Sequence, residues 1–189
     1  MDNPSRSERS RNAIIQAALV IIARDGPGRL TLDAIARESG ISKGGLMHQF
    51  RTKRDVLKAL LQHQIEHFER FSQDHLRDIG PSGPEPALST EIAVSREAIA
   101  QPHSVFFAIL GAVAEEPDLL SMVRELSAQK LEAIKAEAND PDLALLRWLT
   151  GWGLALTTIL GLSPLSEQDR QRLFARLLDP RQWSPHSPG

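Results

Sequence analysis

Between its breaks, every apolar run in this chain recurs at three and four residues, the repeat of a helix buried along one face, and no stretch alternates at two as a half-buried strand would. Ile14, Ile15, Ala18, Ile21 and Ile22 form the first stripe. It stops at Gly26-Pro27-Gly28, where glycine accepts a left-handed cap and proline cannot continue the helix. Thr31 caps a second helix, with Asp33 in its positive first turn and Leu32, Ile35 and Ala36 facing inward until Gly40 ends it. Ile41 leads to Ser42, another cap, and a third short helix runs to Phe50 with Leu46 on its buried side. Thr52 opens a fourth helix that reaches toward Ile79 on Leu57, Leu60, Leu61, Ile65, Phe68 and Phe71.

Gly80 to Pro86 breaks any regular element. Beyond it the spacing predicts helices near 87–101, 103–115, 117–138, 141–162 and 166–179, separated at Pro102, Pro117, Asn139-Asp140-Pro141 and Ser163-Pro164. From Arg181 the chain turns rich in proline and serine and reads as a mobile tail, with Trp183 placed to pin its start. The expected fold is all-α.

Cysteine is absent from the 189 residues, which excludes disulfides, thiolate metal sites and cysteine nucleophiles together. Ile14 to Ala23 is interrupted by Gln16 and ends in Arg24-Asp25, unlike a signal peptide, so the expectation is an unexported, cytoplasmic protein. Leu143 to Leu162 is apolar but contains Arg147, and its uncharged part falls short of the roughly 20 residues of a membrane span. No membrane partner is expected. A helix apolar nearly all round is more simply one covered on both sides, by its own domain and by a second chain.

Charge is unevenly placed. Up to Arg54 there are ten bases against five acids, a net +5, and the remainder carries twelve against nineteen, a net -7. A basic head on an acidic body points the head, and only the head, at a polyanion.

Two short helices joined at Gly40-Ile41-Ser42 have the loop length and glycine placement of a helix-turn-helix. In that geometry the second helix offers its N-terminal residues to base edges in the major groove, here Lys43, Gly44, Gly45, Met47 and His48. Two glycines in one first turn cost helix propensity, about 1 kcal/mol each, and close approach of backbone to DNA is a reason to carry them. The segment Leu30 to Lys53 resembles the DNA-binding signature of TetR-family regulators, and the close match covers roughly Ala13 to Leu61.

The resemblance implies roles residue by residue. Thr31 and Ser42 match capping residues, Thr31 also a phosphate contact; Lys43, Gly44 and Gly45 match the base-facing turn. Lys53 matches a base that meets phosphate at a helix N-terminus. Met47 stands where the family usually has tyrosine, Gln49 where it has histidine or tyrosine, and Gly45 where it has threonine or alanine. Arg37 is a candidate backbone contact, or an exposed charge facing water. Arg6, Arg9 and Arg11 read either as an arm reaching DNA or as a solvated tail.

It implies further that residues 1–54 form a three-helix DNA-binding domain, joined by a long helix to a helical ligand-binding and dimerisation domain over 55–180, with 181–189 as tail. The expected partners are double-stranded operator DNA, a second copy of the chain and a small-molecule effector, with no cofactor. The last two long helices would pair with their mates through Leu145, Leu149, Leu156 and Leu160 on one and Leu173, Phe174, Leu177 and Leu178 on the other. Phe68, Phe106, Phe107, Leu110, Val113, Met122, Leu126, Trp148 and Trp152 are the candidate lining of an apolar effector pocket.

Three rival readings compete. Gly40-Ile41-Ser42-Lys43-Gly44 fits the G-x-S-x-G pattern of hydrolases, but that chemistry needs a strand before the serine, and a helix precedes it here. His63, His67 and His75 share a helix face without the further ligands zinc requires, leaving a metal-responsive regulator as an alternative. A helical adaptor explains the body but leaves the basic helix-turn-helix idle.

Overall fold

A computed structural model describes residues 5–80, 83–100, 113 and 116–183. The first helix, α1 (Arg6–Asp25), begins at a reciprocal cap: Glu8 N–H donates to Ser5 Oγ at 3.2 Å and Ser5 N–H to Glu8 Oε2 at 2.6 Å. Arg6, Arg9 and Arg11 therefore lie in its first turns, neither arm nor tail. Arg11 sits 4.8 Å from the centroid of the Phe50 ring. The polar stretch before Ile14 carries no apolar stripe, so only the Ser5/Glu8 spacing announced the extra turns.

Ile14, Ala18, Ile21 and Ile22 are buried on one face of α1. The helix ends at Gly26, and a tight turn over Pro27–Arg29 leads to α2 (Leu32–Ser39), capped by Thr31 and closed by Gly40 at φ 67, a left-handed conformation that glycine adopts at least cost. α3 (Lys43–Gln49) follows, capped by Ser42, and α4 (Lys53–Ile79) after it. Thr52 and Asp55 cap each other at the start of α4, Thr52 N–H to Asp55 Oδ2 at 2.9 Å and Asp55 N–H to Thr52 Oγ1 at 3.1 Å. Ile35, Leu46, Phe50, Leu57 and Leu60 are among the residues buried beside the α1 stripe, with α2 packed on both α1 and α3.

The described residues within Met1–Glu66 and Pro102–Ser121 form one compact unit, and those within His67–Gln101 and Met122–Gly189 form another. The second is built on α5 (Pro86–Ala100), α6 (Leu120–Glu137), α7 (Pro141–Ile159) and α8 (Glu167–Leu178). α6 starts later than the spacing predicts because Pro117–Leu119 makes a tight turn first. α7 ends earlier because Gly161 takes φ 65. The helix expected near 103–115 lies outside the described residues except at Val113, which is helical and buried.

Leu88 and Ile92 of α5, Ile134 of α6, Ala144 and Leu154 of α7, and Phe174 and Leu177 of α8 form one core, with α5 packed on α7 and α8. Glu137, the last residue of α6, caps the start of α5 by accepting from Ala87 N–H at 2.9 Å and Leu88 N–H at 2.8 Å. Trp183 pins the start of the tail, its Nε1 donating to Arg176 O at 2.8 Å. Among the described residues no helix is long and apolar enough to cross a membrane.

Candidate functional site

The cap of α3 fixes the candidate DNA-contacting turn. Ser42 Oγ accepts from Gly45 N–H at 3.2 Å, so the hydroxyl is committed to the helix start, and α2 rather than a strand precedes it. That geometry removes the hydrolase reading of the same five residues. Leu46 and Phe50 are buried, which turns Lys43, Gly44, Gly45, Met47 and His48 outward, all of them exposed. Gly44 has open space where a Cβ would stand, whereas a Cβ on Gly45 would meet Ile41 Cγ2 at 3.1 Å and Ser42 Oγ at 3.2 Å. The two glycines thus differ: the second clears the cap, and the first leaves backbone bare toward the outside.

Thr31 caps α2, its Oγ1 accepting from Ala34 N–H at 3.1 Å, and Arg37 is exposed on the same helix. Gln49 does not face outward freely; its Nε2 donates to Ser7 Oγ at 2.8 Å, joining α3 to α1. Lys53 is half-buried at the first position of α4. Within the basic head Arg24 pairs with Asp25 and Glu38, acids already counted in the net +5, whereas Arg54 pairs at 2.5 Å with Glu116, an acid outside that count, so a polyanion would meet somewhat less than the net charge of the head. Lys43 Nζ lies 2.8 Å from Asp33 Oδ1, a contact that joins α2 to α3 and that the sequence reading missed. The hydrogen bond and charge of Lys43, with Arg37 nearby, hold the Asp33 carboxyl below its ordinary value.

The candidate effector residues fall in different places. Phe68, Met122, Leu126 and Trp148 are half-buried in the second unit, and Trp148 packs against its core. Trp152 is 44% exposed, and Val113 is buried in the first unit. Phe106, Phe107 and Leu110 lie outside the described residues. Among the described residues three buried polar atoms of the second unit, Trp148 Nε1, His67 Nε2 and Arg147 Nε, have no hydrogen-bond partner.

The candidate dimer residues divide as sharply. Phe174 and Leu177 are 1% and 4% exposed inside their own unit, and Leu145, Leu173 and Leu178 pack against the same core. These five residues stabilise the chain itself, because α8 turns its apolar stripe onto α5 and α7. Leu156 is half-buried. Leu149 and Leu160 do face outward, at 59% and 43% exposed, and Leu146, Leu162 and Trp152 join them unforeseen.

His63, His67 and His75 do not gather into a metal set. His75 Nε2 lies 3.2 Å from Ser89 Oγ, and the His67 ring meets Phe68 edge-on. Among the described residues no three histidine or acidic side chains converge.

Comparison with known proteins decides the family. Residues 14–60 match the model of bacterial regulatory proteins, tetR family, and residues 87–180 that of the tetracyclin repressor-like C-terminal domain, so the two together span most of the chain. The chain belongs to the TetR family. Its curated relatives include the HTH-type transcriptional regulator SrpR of Pseudomonas putida, 38% identical over 65 residues, which are 33% of this chain and 30% of SrpR. The HTH-type transcriptional regulator BetI of Yersinia pestis is 27% identical over 78 residues, 41% of this chain and 39% of BetI. The match thus spans about a third of the length of these relatives. TetR-like solved structures cover far more. The multidrug binding protein EbrR, complexed with malachite green, has a TM-score of 0.68 at 23% identity, covering 93% of this chain and 99% of EbrR. The SCO7518 protein of Streptomyces coelicolor has 0.66 at 18%, covering 90% and 98%. Proteins of the TetR family regulate transcription and are not enzymes.

Proposed function

We propose that this TetR-family chain is a repressor that binds palindromic double-stranded operator DNA as a homodimer and is released by a small, largely apolar effector. The observation that carries DNA binding is the outward turn of α3. Lys43, Gly44, Gly45, Met47 and His48 are exposed around the buried Leu46, at the end of the helix that a helix-turn-helix presents to base edges. Thr31, Arg37 and Lys53 are the proposed backbone contacts, and Ser42 holds the turn. Gln49 acts through α1 rather than on DNA.

Dimerisation is supported by the outward face of α7. Leu146, Leu149, Trp152 and Leu160 are exposed there together with Gly153. The hydroxyls of Thr150 and Thr157 donate to Leu146 O and Gly153 O of their own helix, each at 2.6 Å, so they ask nothing of a neighbour. An apolar face whose threonine hydroxyls are already met suits a second copy of itself. An effector in the second unit is supported by the half-buried Trp148 and its unpartnered N–H, and by the dye bound to EbrR. Such a ligand acts only through unequal affinity for the DNA-bound and free states. Operation of this kind places the protein in the cytoplasm.

The test is fluorescence anisotropy with duplexes selected from a random library by the protein itself. Binding should fall steeply with salt, with a log–log slope of about -5 to -9 if about six to ten phosphates are neutralised. Absence of any salt-dependent duplex binding would refute the reading.

A further inference from the structure

We infer that Asp33 is a specificity-determining residue that acts through Lys43, masking its charge from DNA phosphates while leaving its remaining donors to a matching base edge. The inference rests on the proposed DNA-binding reading. Asp33 occupies the first turn of α2 and Lys43 the first residue of α3, so the turn at Gly40 brings an acid and a base from two helices to one contact of 2.8 Å. Their side chains are 64% and 63% exposed, so neither is held by packing and the pair opens at little cost.

Non-specific affinity comes from counterions released as lysines and arginines neutralise phosphates. A lysine already facing a carboxylate releases little, and reaching for a phosphate would leave that carboxylate unpaired against the polyanion. A base edge changes the balance. The ammonium has three donors and no acceptor, so it can keep Asp33 on one and direct others to guanine O6 and N7. Asp33 then also orients the ammonium, and Lys43 contributes to recognition without contributing fully to indiscriminate binding. Thr31, not Asp33, makes the side-chain cap of α2, so removing the Asp33 charge leaves that hydrogen bond in place.

The experiment compares a duplex selected from a random library by the wild-type protein with a scrambled duplex of equal length, each across a salt series. Asp33→Asn should bind the scrambled duplex about two- to fivefold more tightly at low salt, with a log–log slope steeper by about 1, while its preference for the selected duplex falls. Asp33→Glu, which keeps the charge, should retain the wild-type preference. In a Lys43→Ala background, Asp33→Asn should leave the slope unchanged. Equal preference and equal slope for Asp33→Asn and wild type would overturn the inference, as would the same change in slope when Lys43 is absent. Asp33→Ser repeats the comparison should Asn perturb the fold, judged by thermal melting. Failure of the wild type to bind any duplex would instead refute DNA binding itself.

Discussion

From within the second unit, Arg147 Nη2 donates to the carbonyl oxygen of Leu177 at 2.8 Å, tying the middle of α7 to the end of α8. Arg147 is 4% exposed, yet it is matched by Glu85 through Nη1 at 2.5 Å and by the Trp183 ring 5.4 Å away. Only its Nε has no partner. One side chain thereby joins the start of α5, α7, α8 and the tail.

Arg147→Ala should destabilise the chain by about 2–4 kcal/mol, since it removes the packing of the stem and leaves the Leu177 carbonyl and Glu85 unmatched. Arg147→Met restores the volume but not the donors, and should lose about 1–2 kcal/mol. Urea unfolding of both variants distinguishes the contributions. Equal losses would mean that the hydrogen bonds, not the stem, hold the helices.

This residue also marks what the sequence did and did not disclose. Helix positions were legible because Thr31, Ser42 and Thr52 are cap residues in front of periodic apolar runs, and all three accept a hydrogen bond from the first turn they precede; Asp140 and Ser166 cap α7 and α8 in the same way, where only the breaks before those helices were legible. The family was legible in the residues between Leu30 and Lys53. A lone arginine in the apolar stretch from Leu143 to Leu162 argued against a membrane span, but its partners Glu85 and Leu177 are 62 and 30 residues away and no local pattern points to them. For the same reason the expectation that Leu173, Phe174, Leu177 and Leu178 pair with a second chain rested on burial alone, and these residues pack on the core of their own unit. Periodicity tells which face is covered; whether the cover is another helix of the chain or another chain is decided by long-range packing.

The two glycines of α3 should respond differently to alanine. Gly44→Ala meets open space and should gain about 1 kcal/mol of helix stability, while weakening duplex binding if the bare backbone approaches DNA. At Gly45 the new methyl would press on Ile41 and on the capping Ser42 Oγ, offsetting that gain. Thermal melts together with anisotropy titrations separate the two. A Gly44→Ala variant that is both more stable and fully competent for DNA would remove the backbone from the interface.

Mild acid should destabilise the second unit through His75. Burial, reinforced by the charge of Arg96 and opposed by Asp78, holds its imidazole below the ordinary value of about 6.5. The unfolded chain then binds the proton more readily than the folded one. Its contribution is present in full above that ordinary value and is lost as pH falls through it toward the folded value. His75→Asn should flatten this part of the stability profile, measured by urea unfolding at a series of pH values. The lowered carboxyls of Asp33, Asp55 and Asp169 act in a separate window, below the ordinary carboxylate range, where acid removes their capping and pairing.

Charges placed on α7 and α8 should distinguish a surface that meets a second copy from a core that holds one chain together. Leu149 is 59% exposed on the outward face of α7, so Leu149→Asp is solvated in the monomer and the fold should persist. In a dimer built on that face the same carboxylate would be buried without a partner, at a cost of several kcal/mol, and it would meet its symmetry mate across the axis. The variant should therefore sediment as a folded monomer and lose cooperative binding to a palindromic duplex. Phe174→Asp is different, because Phe174 is 1% exposed among Leu88, Ile92 and Leu177. Burying a Phe side chain contributes roughly 1.5–3 kcal/mol, and an unpaired carboxylate in its place adds a desolvation cost of similar size or more. Together these approach the roughly 5–15 kcal/mol that holds a domain of ordinary stability. Phe174→Asp should lose helical circular dichroism at temperatures where Leu149→Asp keeps it. If Leu149→Asp remains dimeric at low micromolar concentration, the α7 face is not the interface, and if Phe174→Asp gives a folded monomer, the stripe of α8 is.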